Sequence, residues 1–340
     1  MNQLIRFSNS STHFYFDSSF KKISECVDVK KVVIITDEHV FKAHAPLFKN
    51  YKTITIPAGE KFKQQATVDA IIKKLIAFEA DRQSVLIGVG GGVVTDITGY
   101  VAAVYMRGVQ FGFVPTSILA IVDASIGGKN GIDVGAYKNL VGTIRQPSFI
   151  LHDLALLKTL PQEHWENGFA EVIKHACIKD AKMFAELNER SLKYYQQNKK
   201  ALADLIYRNT MIKIKVVQKD EFEKGDRKLL NFGHTFGHAI ETKYKLLHGH
   251  AISIGMVFAA HLSAEYMGFK KVSAIVDIFQ KYQLPISIKK INPKHVFDIL
   301  KMDKKRNSDM MNFILLNRIG KASVLPIPLT ELEKIITKDK

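Results

Sequence analysis

The sequence predicts an α/β chain, with a parallel sheet wrapped by helices in the first half and a mainly α-helical second half. Two observations carry this. Short β-branched runs alternate with helix-period segments up to about residue 150, the pattern of strands that cross over through helices. Beyond that point helix-period segments follow one another, with Gly, Pro and Asn mostly between them.

The elements follow in order. KKVVIITDEHV (30–40) is a β-branched run ending in polar residues, a buried parallel strand. YKTITIPAGE (51–60) gives a second strand and a turn, and residues 65–78 have helical apolar spacing. Residues 84–89 form another buried strand, and 93–105 a helix. In the second half the spacing predicts helices over 162–187, 199–221, 234–244, 251–267 and 272–282. MNFILL, the turn NRIGKA and SVLPI then suggest a hairpin. QPSFILHDLALLKTLPQ (146–162) reads as the link, so the domains are expected at 1–155 and 156–340.

At 340 residues, 46% apolar and 24% charged, the chain is long enough for a sizeable core. No apolar run reaches the length of a membrane span, and the first residues lack the basic end and apolar core of a secretory signal. Cys26 and Cys177 make no disulfide framework, which points to the cytoplasm. The net charge of +16 raises nucleic-acid binding, but the lysines are scattered and no basic segment is interleaved with aromatics. A basic surface that attracts a small anionic substrate fits the charge, with neither nucleic acid nor membrane as partner.

Four groups of residues carry chemistry. Gly88, Gly90, Gly91 and Gly92 lie between strand and helix in SVLIGVGGGVVTDITGY, where backbone N–H groups can meet a nucleotide phosphate. Asp37 closes an earlier strand and suits either a ribose hydroxyl or a helix cap. Glu171 and Lys174, in GFAEVIKHA, share a largely apolar helix face, and a buried carboxylate needs a partner. His234, His238, His248 and His250 crowd one short stretch. Together with Glu171, two of them can hold a divalent ion of the zinc type; spacing alone leaves open which two. Finally, Asp123, Lys129, Lys138 and Asn139 lie among glycines, as where backbone and lysines close around an anion, although a solvated loop has the same composition.

With these motifs assembled, the sequence closely resembles the 3-dehydroquinate synthases, of the sugar phosphate cyclase superfamily. The likeness runs from about Asp37 to Lys305 and includes GGGVVTDITGYVAAVYMRG, VDASIGGKNGI, YKNLVGTIRQP, LKTLP, GFAEVIKHA, RKLLNFGHTFGHAIE and MDKK. It implies a Rossmann-like, parallel-sheet NAD-binding N-terminal domain and a helical metal- and substrate-binding C-terminal domain. It further implies tightly held NAD, a catalytic Zn2+ or Co2+, and a homodimer. The implied substrate is a phosphorylated sugar acid, 3-deoxy-D-arabino-heptulosonate 7-phosphate. The implied reaction is transient NAD-dependent oxidation, phosphate elimination, reduction and intramolecular aldol closure to 3-dehydroquinate.

Position by position, the resemblance makes Glu171, His234 and His248 the metal ligands and gives His238 to the substrate. Lys213 and Arg227 match the residues on the substrate carboxylate. Lys129, Asn139, Asn231, His238 and Lys304 match the phosphate set, with Lys138 beside them and Arg107 supplied from the other subunit. Asp123 and Lys174 match groups on substrate hydroxyls. Asp37, Glu60, Lys63, Gly91, Gly92, Asp96, Thr116, Ser117, Lys129, Lys138 and Thr159 fall on the NAD side. One position departs: His250 stands where the family usually has glutamate, two residues past a metal ligand. That change bears on metal affinity and pH dependence rather than on the reaction.

Overall fold

The computed structural model describes residues 1–135, 137–288, 292–301, 306, 307 and 309–338. The chain forms two compact units, each made of two stretches: Met1–Trp165 with Lys199–Phe222, and Glu166–Asn198 with Glu223–Lys340.

The strands of the first unit are β1 (Asn2–Arg6), β2 (Ser11–Tyr15), β3 (Val32–Asp37), β4 (Lys52–Ile56), β5 (Val85–Gly90), β6 (Gln110–Pro115), β7 (Lys129–Val134), β8 (Tyr137–Ile144) and β9 (Phe149–Leu151). Among the described residues, seven of them build one sheet in the order β1-β2-β9-β6-β5-β3-β4. Every neighbouring pair is parallel except β1–β2 at the edge. VVIIT of β3 and all of VLIGVG are buried, as strands covered on both faces must be. Helices α1 (Glu38–Phe48), α2 (Gln65–Ala77) and α3 (Gly92–Val104) connect them.

Three features differ from the sequence reading. The first residues form a β-hairpin. Residues 129–144, read as an anion-gathering loop, pair as the antiparallel hairpin β7–β8, in which Gly131 faces Gly142; those glycines break the alternation that marks a strand. The expected link contains β9, a strand of the main sheet. One cut near residue 155 therefore does not divide the observed units.

In the second stretch of chain the helices are α4 (Gln162–Lys179), α5 (Ala181–Glu189), α6 (Leu192–Gln197), α7 (Lys199–Lys219), α8 (His234–Tyr244), α9 (His248–Met267), α10 (Val272–Lys281), α11 (Pro293–Lys301) and α12 (Leu329–Lys338). The helix expected over 162–187 breaks at Asp180, whose side chain caps α5 by accepting from Met183 N. Helix α7 joins the first unit, where Ile214 and Val217 enter the core under the sheet. The expected terminal hairpin is present as β11 (Met310–Arg318) and β12 (Lys321–Pro328), with the short β10 (Arg306–Asn307) alongside. These strands share a core with α8, α9, α11 and α12. Among the described residues no helix is long and apolar enough to cross a membrane.

Candidate active site and metal centre

In the second unit, close backbone packing sets the site. Gly233 holds the left-handed conformation at the start of α8 (φ 80°), and a side chain there would run into Met256 and the Ile252 carbonyl of α9. Gly249, on the first turn of α9, lies against the carbonyl of Asn167, whose Oδ1 accepts from Gly249 N at 2.6 Å. Residues without side chains thus let α8 and α9 approach each other and α4 closely.

The approach brings Glu171, His234 and His248 together. Glu171 is fully buried, and its Oε1 lies 3.6 Å from His234 Nε2 and 3.4 Å from His248 Nε2. One donor atom from each residue falls within 4.8 Å of the others. Both Nδ1 atoms point elsewhere. That of His234 meets the Phe232 carbonyl at 3.1 Å, and that of His248 meets Glu241 Oε2 at 3.2 Å. Acceptors at Nδ1 keep the proton there and direct Nε2 to the common point, the tautomer a metal-binding histidine requires. Two imidazoles and a carboxylate are the donor set of a catalytic zinc-type ion, so the residues fit one. Burial alone lowers the pKa of His248, but hydrogen bonds and charge from Glu171 and Glu241 raise it to about 10. The buried Lys174 makes an ion pair with Glu171 one helical turn away.

The i,i+4 partner His238 is exposed. Its ring centre is 5.2 Å from that of His234, and it groups with Glu241 and His248 rather than with Glu171. Arg227 is buried on the turn Asp226–Asn231, and Asn231 Nδ2 at the end of that turn donates to Glu223 Oε1 at 2.5 Å. Lys304 lies outside the described residues.

In the first unit, α3 begins with no side chain capping its first turn, which leaves its N-terminal N–H groups to the backbone and to an anion. Gly91 and Gly92 stand at that start, near Ser117 and Ala124, and Thr116 N donates to the Gly90 carbonyl at 2.9 Å. Asp37 takes the cap role at α1, accepting from His39 N and Val40 N. Thr159 Oγ1 lies 2.8 Å from His44 Nε2.

Lys63 is the hub of this unit. Its Nζ donates to Asp96 Oδ2 and to Asn139 Oδ1, each at 2.5 Å. Burial opposes its charge, yet Asp96 and Glu60 raise its pKa, so it stays a cation; burial likewise raises the Asp96 carboxyl, and the lysine's charge holds it back. Lys138 reaches Glu60 at 3.5 Å, and Asp133 Oδ1 accepts from Asn139 N at 2.7 Å. Asn139 itself is left-handed (φ 51°), a conformation asparagine tolerates. Lys213 on α7 meets Asp123 Oδ1 at 2.6 Å and its carbonyl at 2.5 Å. Asp123 sits on a π-helical turn, Ala120–Ala124, a distortion frequent at functional sites. Lys129 opens β7 and is exposed. Met106 and Arg107 are successive left-handed residues (φ 49° and 65°), and such strain in residues with long side chains tends to mark a functional position.

Several residues of these networks escaped the sequence reading, among them Glu241, Asp133, Glu223, Asn167 and His44. Glu241 had a signal: it lies seven residues after His234, nearly two full turns, and so on the same helix face.

Residues 53–167 match the family model described as 3-dehydroquinate synthase N-terminal, and residues 168–306 the one described as 3-dehydroquinate synthase C-terminal. The 3-dehydroquinate synthase of Saccharolobus solfataricus is 39% identical over 92% of this chain and 91% of its own. That of Campylobacter concisus is 41% identical over 80% of this chain and 79% of its own. Among solved structures, 2-deoxy-scyllo-inosose synthase complexed with carbaglucose-6-phosphate, NAD+ and Co2+ superposes with a TM-score of 0.88. It is 26% identical and covers 99% of this chain and 100% of its own.

Proposed function

The chain belongs to the 3-dehydroquinate synthase family, and from that premise we propose how its residues divide the work. The reaction is the lyase step of the shikimate pathway, in which 3-deoxy-D-arabino-heptulosonate 7-phosphate gives 3-dehydroquinate and phosphate. The observation that carries the reading is the convergence of His234 Nε2, His248 Nε2 and Glu171 on one point, with both Nδ1 atoms held by acceptors.

Glu171, His234 and His248 hold a Zn2+ or Co2+ ion. Bound there, the ion supplies Lewis acidity at a substrate alcohol, and bound NAD supplies a transient hydride acceptor. Lys174 lends positive charge beside Glu171 and faces substrate hydroxyls with Asp123. Arg227 grips the substrate carboxylate through parallel charge-assisted hydrogen bonds, with Lys213 as the second cation. Lys129, Lys138, Asn139, Asn231, His238 and Lys304 bind the phosphate and take up the charge that grows on it as it leaves. Gly91, Gly92, Asp96, Thr116, Ser117, Asp37, Glu60, Lys63 and Thr159 serve NAD, the first two through the helix start. The excess of positive charge draws in the polyanionic substrate.

We further infer a cytoplasmic homodimer. Neither cysteine is in a disulfide. Tyr137, Leu140, Val141 and Ile144 are apolar and exposed on the β7–β8 hairpin, a strip suited to a partner subunit. The strained Arg107 is the residue that would be offered to that subunit's phosphate site.

The test is to incubate the purified protein with the heptulosonate phosphate, a trace of NAD and zinc. Phosphate should appear in excess over NAD with no accumulation of NADH. NADH accumulating in step with product would mean a polyol dehydrogenase instead.

A further inference from the structure

Glu241 has no part in the ligand set just described, yet it is buried beside it. It lies on α8 two turns after His234. The turn that ends α8 is anchored on this residue: Lys245, left-handed at φ 50°, and Leu246 both donate their backbone N–H to the Glu241 carbonyl. The chain thereby reverses at once, and His248, the first residue of α9, arrives with Nδ1 at 3.2 Å from Glu241 Oε2. The opposite ring nitrogen faces Glu171 Oε1 at 3.4 Å. The carboxylate also sits at the N-terminal end of α9, where a helix favours negative charge.

We infer that Glu241 is a positioning residue for the metal site: by holding the Nδ1 proton of His248 it fixes the ring's orientation and makes Nε2 a stronger donor. A carboxylate on the far nitrogen of a ligating histidine does both. The inference rests on the metal site proposed above.

The test uses metal-free full-length protein titrated with Zn2+ against a chelator, and with Co2+ followed by its visible absorption. Wild type, Glu171→Ala, Glu241→Ala and Glu241→Gln are compared. An ion bound in wild type and lost in Glu171→Ala establishes the site itself; an ion content unchanged in Glu171→Ala defeats the metal reading, not the role of Glu241. Given that step, Glu241→Ala should weaken zinc roughly 10- to 100-fold, the usual range for such partners, and alter the Co2+ spectrum. Glu241→Gln keeps the shape and an acceptor oxygen, so it should recover part of the loss. Unchanged affinity and spectrum in both Glu241 variants would overturn the inference. So would two ions in wild type with one lost cleanly in Glu241→Ala, because Glu241 would then be a ligand, with His238, of a second cation.

Discussion

Two histidines, one in each unit, show how far surroundings decide what an imidazole does. His152 follows β9 among aromatic rings, edge-on to Phe14 and Phe16 with centroids 6.4 and 5.4 Å away. Neither of its ring nitrogens has a hydrogen-bond partner among the described residues, and burial pushes its pKa down to about 3. His248 is flanked by Glu171 and Glu241, which overcome the effect of burial and raise its pKa to about 10. The first ring is neutral packing. The second is held between two carboxylates, one beside each ring nitrogen. The same contrast separates the wider networks. In the first unit cations meet anions pair by pair, Lys63 with Asp96 and Lys213 with Asp123. In the second, two imidazoles converge on a carboxylate that is also paired with Lys174, a ligand set built around an ion pair rather than the pair alone.

The most severe way to break the comparison is to remove the carboxylate between the imidazoles. Glu171→Gln should abolish stoichiometric metal binding and lower turnover by more than roughly 100-fold, beyond the range for residues that only support a ligand. Metal analysis beside phosphate release checks this, and full metal content in the variant would refute it.

Breaking a pair in the first unit should act on stability instead. Lys63→Met leaves Asp96 without its close cation, a loss of about 3 kcal/mol, the low end for a buried pair because Asp96 is partly exposed. Denaturant unfolding measures it, and metal affinity should be unchanged.

His152 sharpens the contrast through pH. Its folded-state pKa lies below the usual 6.5, so between about pH 6.5 and 3 the unfolded chain binds a proton that the folded one refuses. Stability is therefore full above 6.5 and falls as the pH drops through that window, by about 1.4 kcal/mol per unit. From pH 7 to 5 wild type should lose roughly 2 kcal/mol more than His152→Leu. Equal losses in the two proteins would mean that the ring is protonated within the fold.

The smallest effect should come from His250→Glu. With Glu241 already on His248 Nδ1, the variant should stay active and hold zinc within about tenfold of wild type, short of the effect of a true supporting partner. Loss of metal would make His250 a ligand.

What the sequence made legible was what local pattern can carry. Buried parallel strands such as 32–37 and 85–90 are continuous apolar runs, and the helices of the second half keep their period. The histidine crowding and the run GFAEVIKHA pointed to a metal before any coordinates. Spacing alone could not choose between His238 and His248, because i,i+4 proximity on α8 competes with an approach made by a second helix over Gly233 and Gly249. Long-range pairings were hidden for the same reason. Nothing local announces that Lys63 will bridge Asp96 and Asn139, or that α7 will carry Lys213 to Asp123.

Anomalous diffraction from crystals of the zinc-loaded protein tests the central claim most directly. One peak is expected, roughly 2.0–2.2 Å from His234 Nε2, His248 Nε2 and a Glu171 oxygen, with Glu241 still bonded to His248 Nδ1. A peak held by His238 and Glu241 with Glu171 uninvolved would contradict the account.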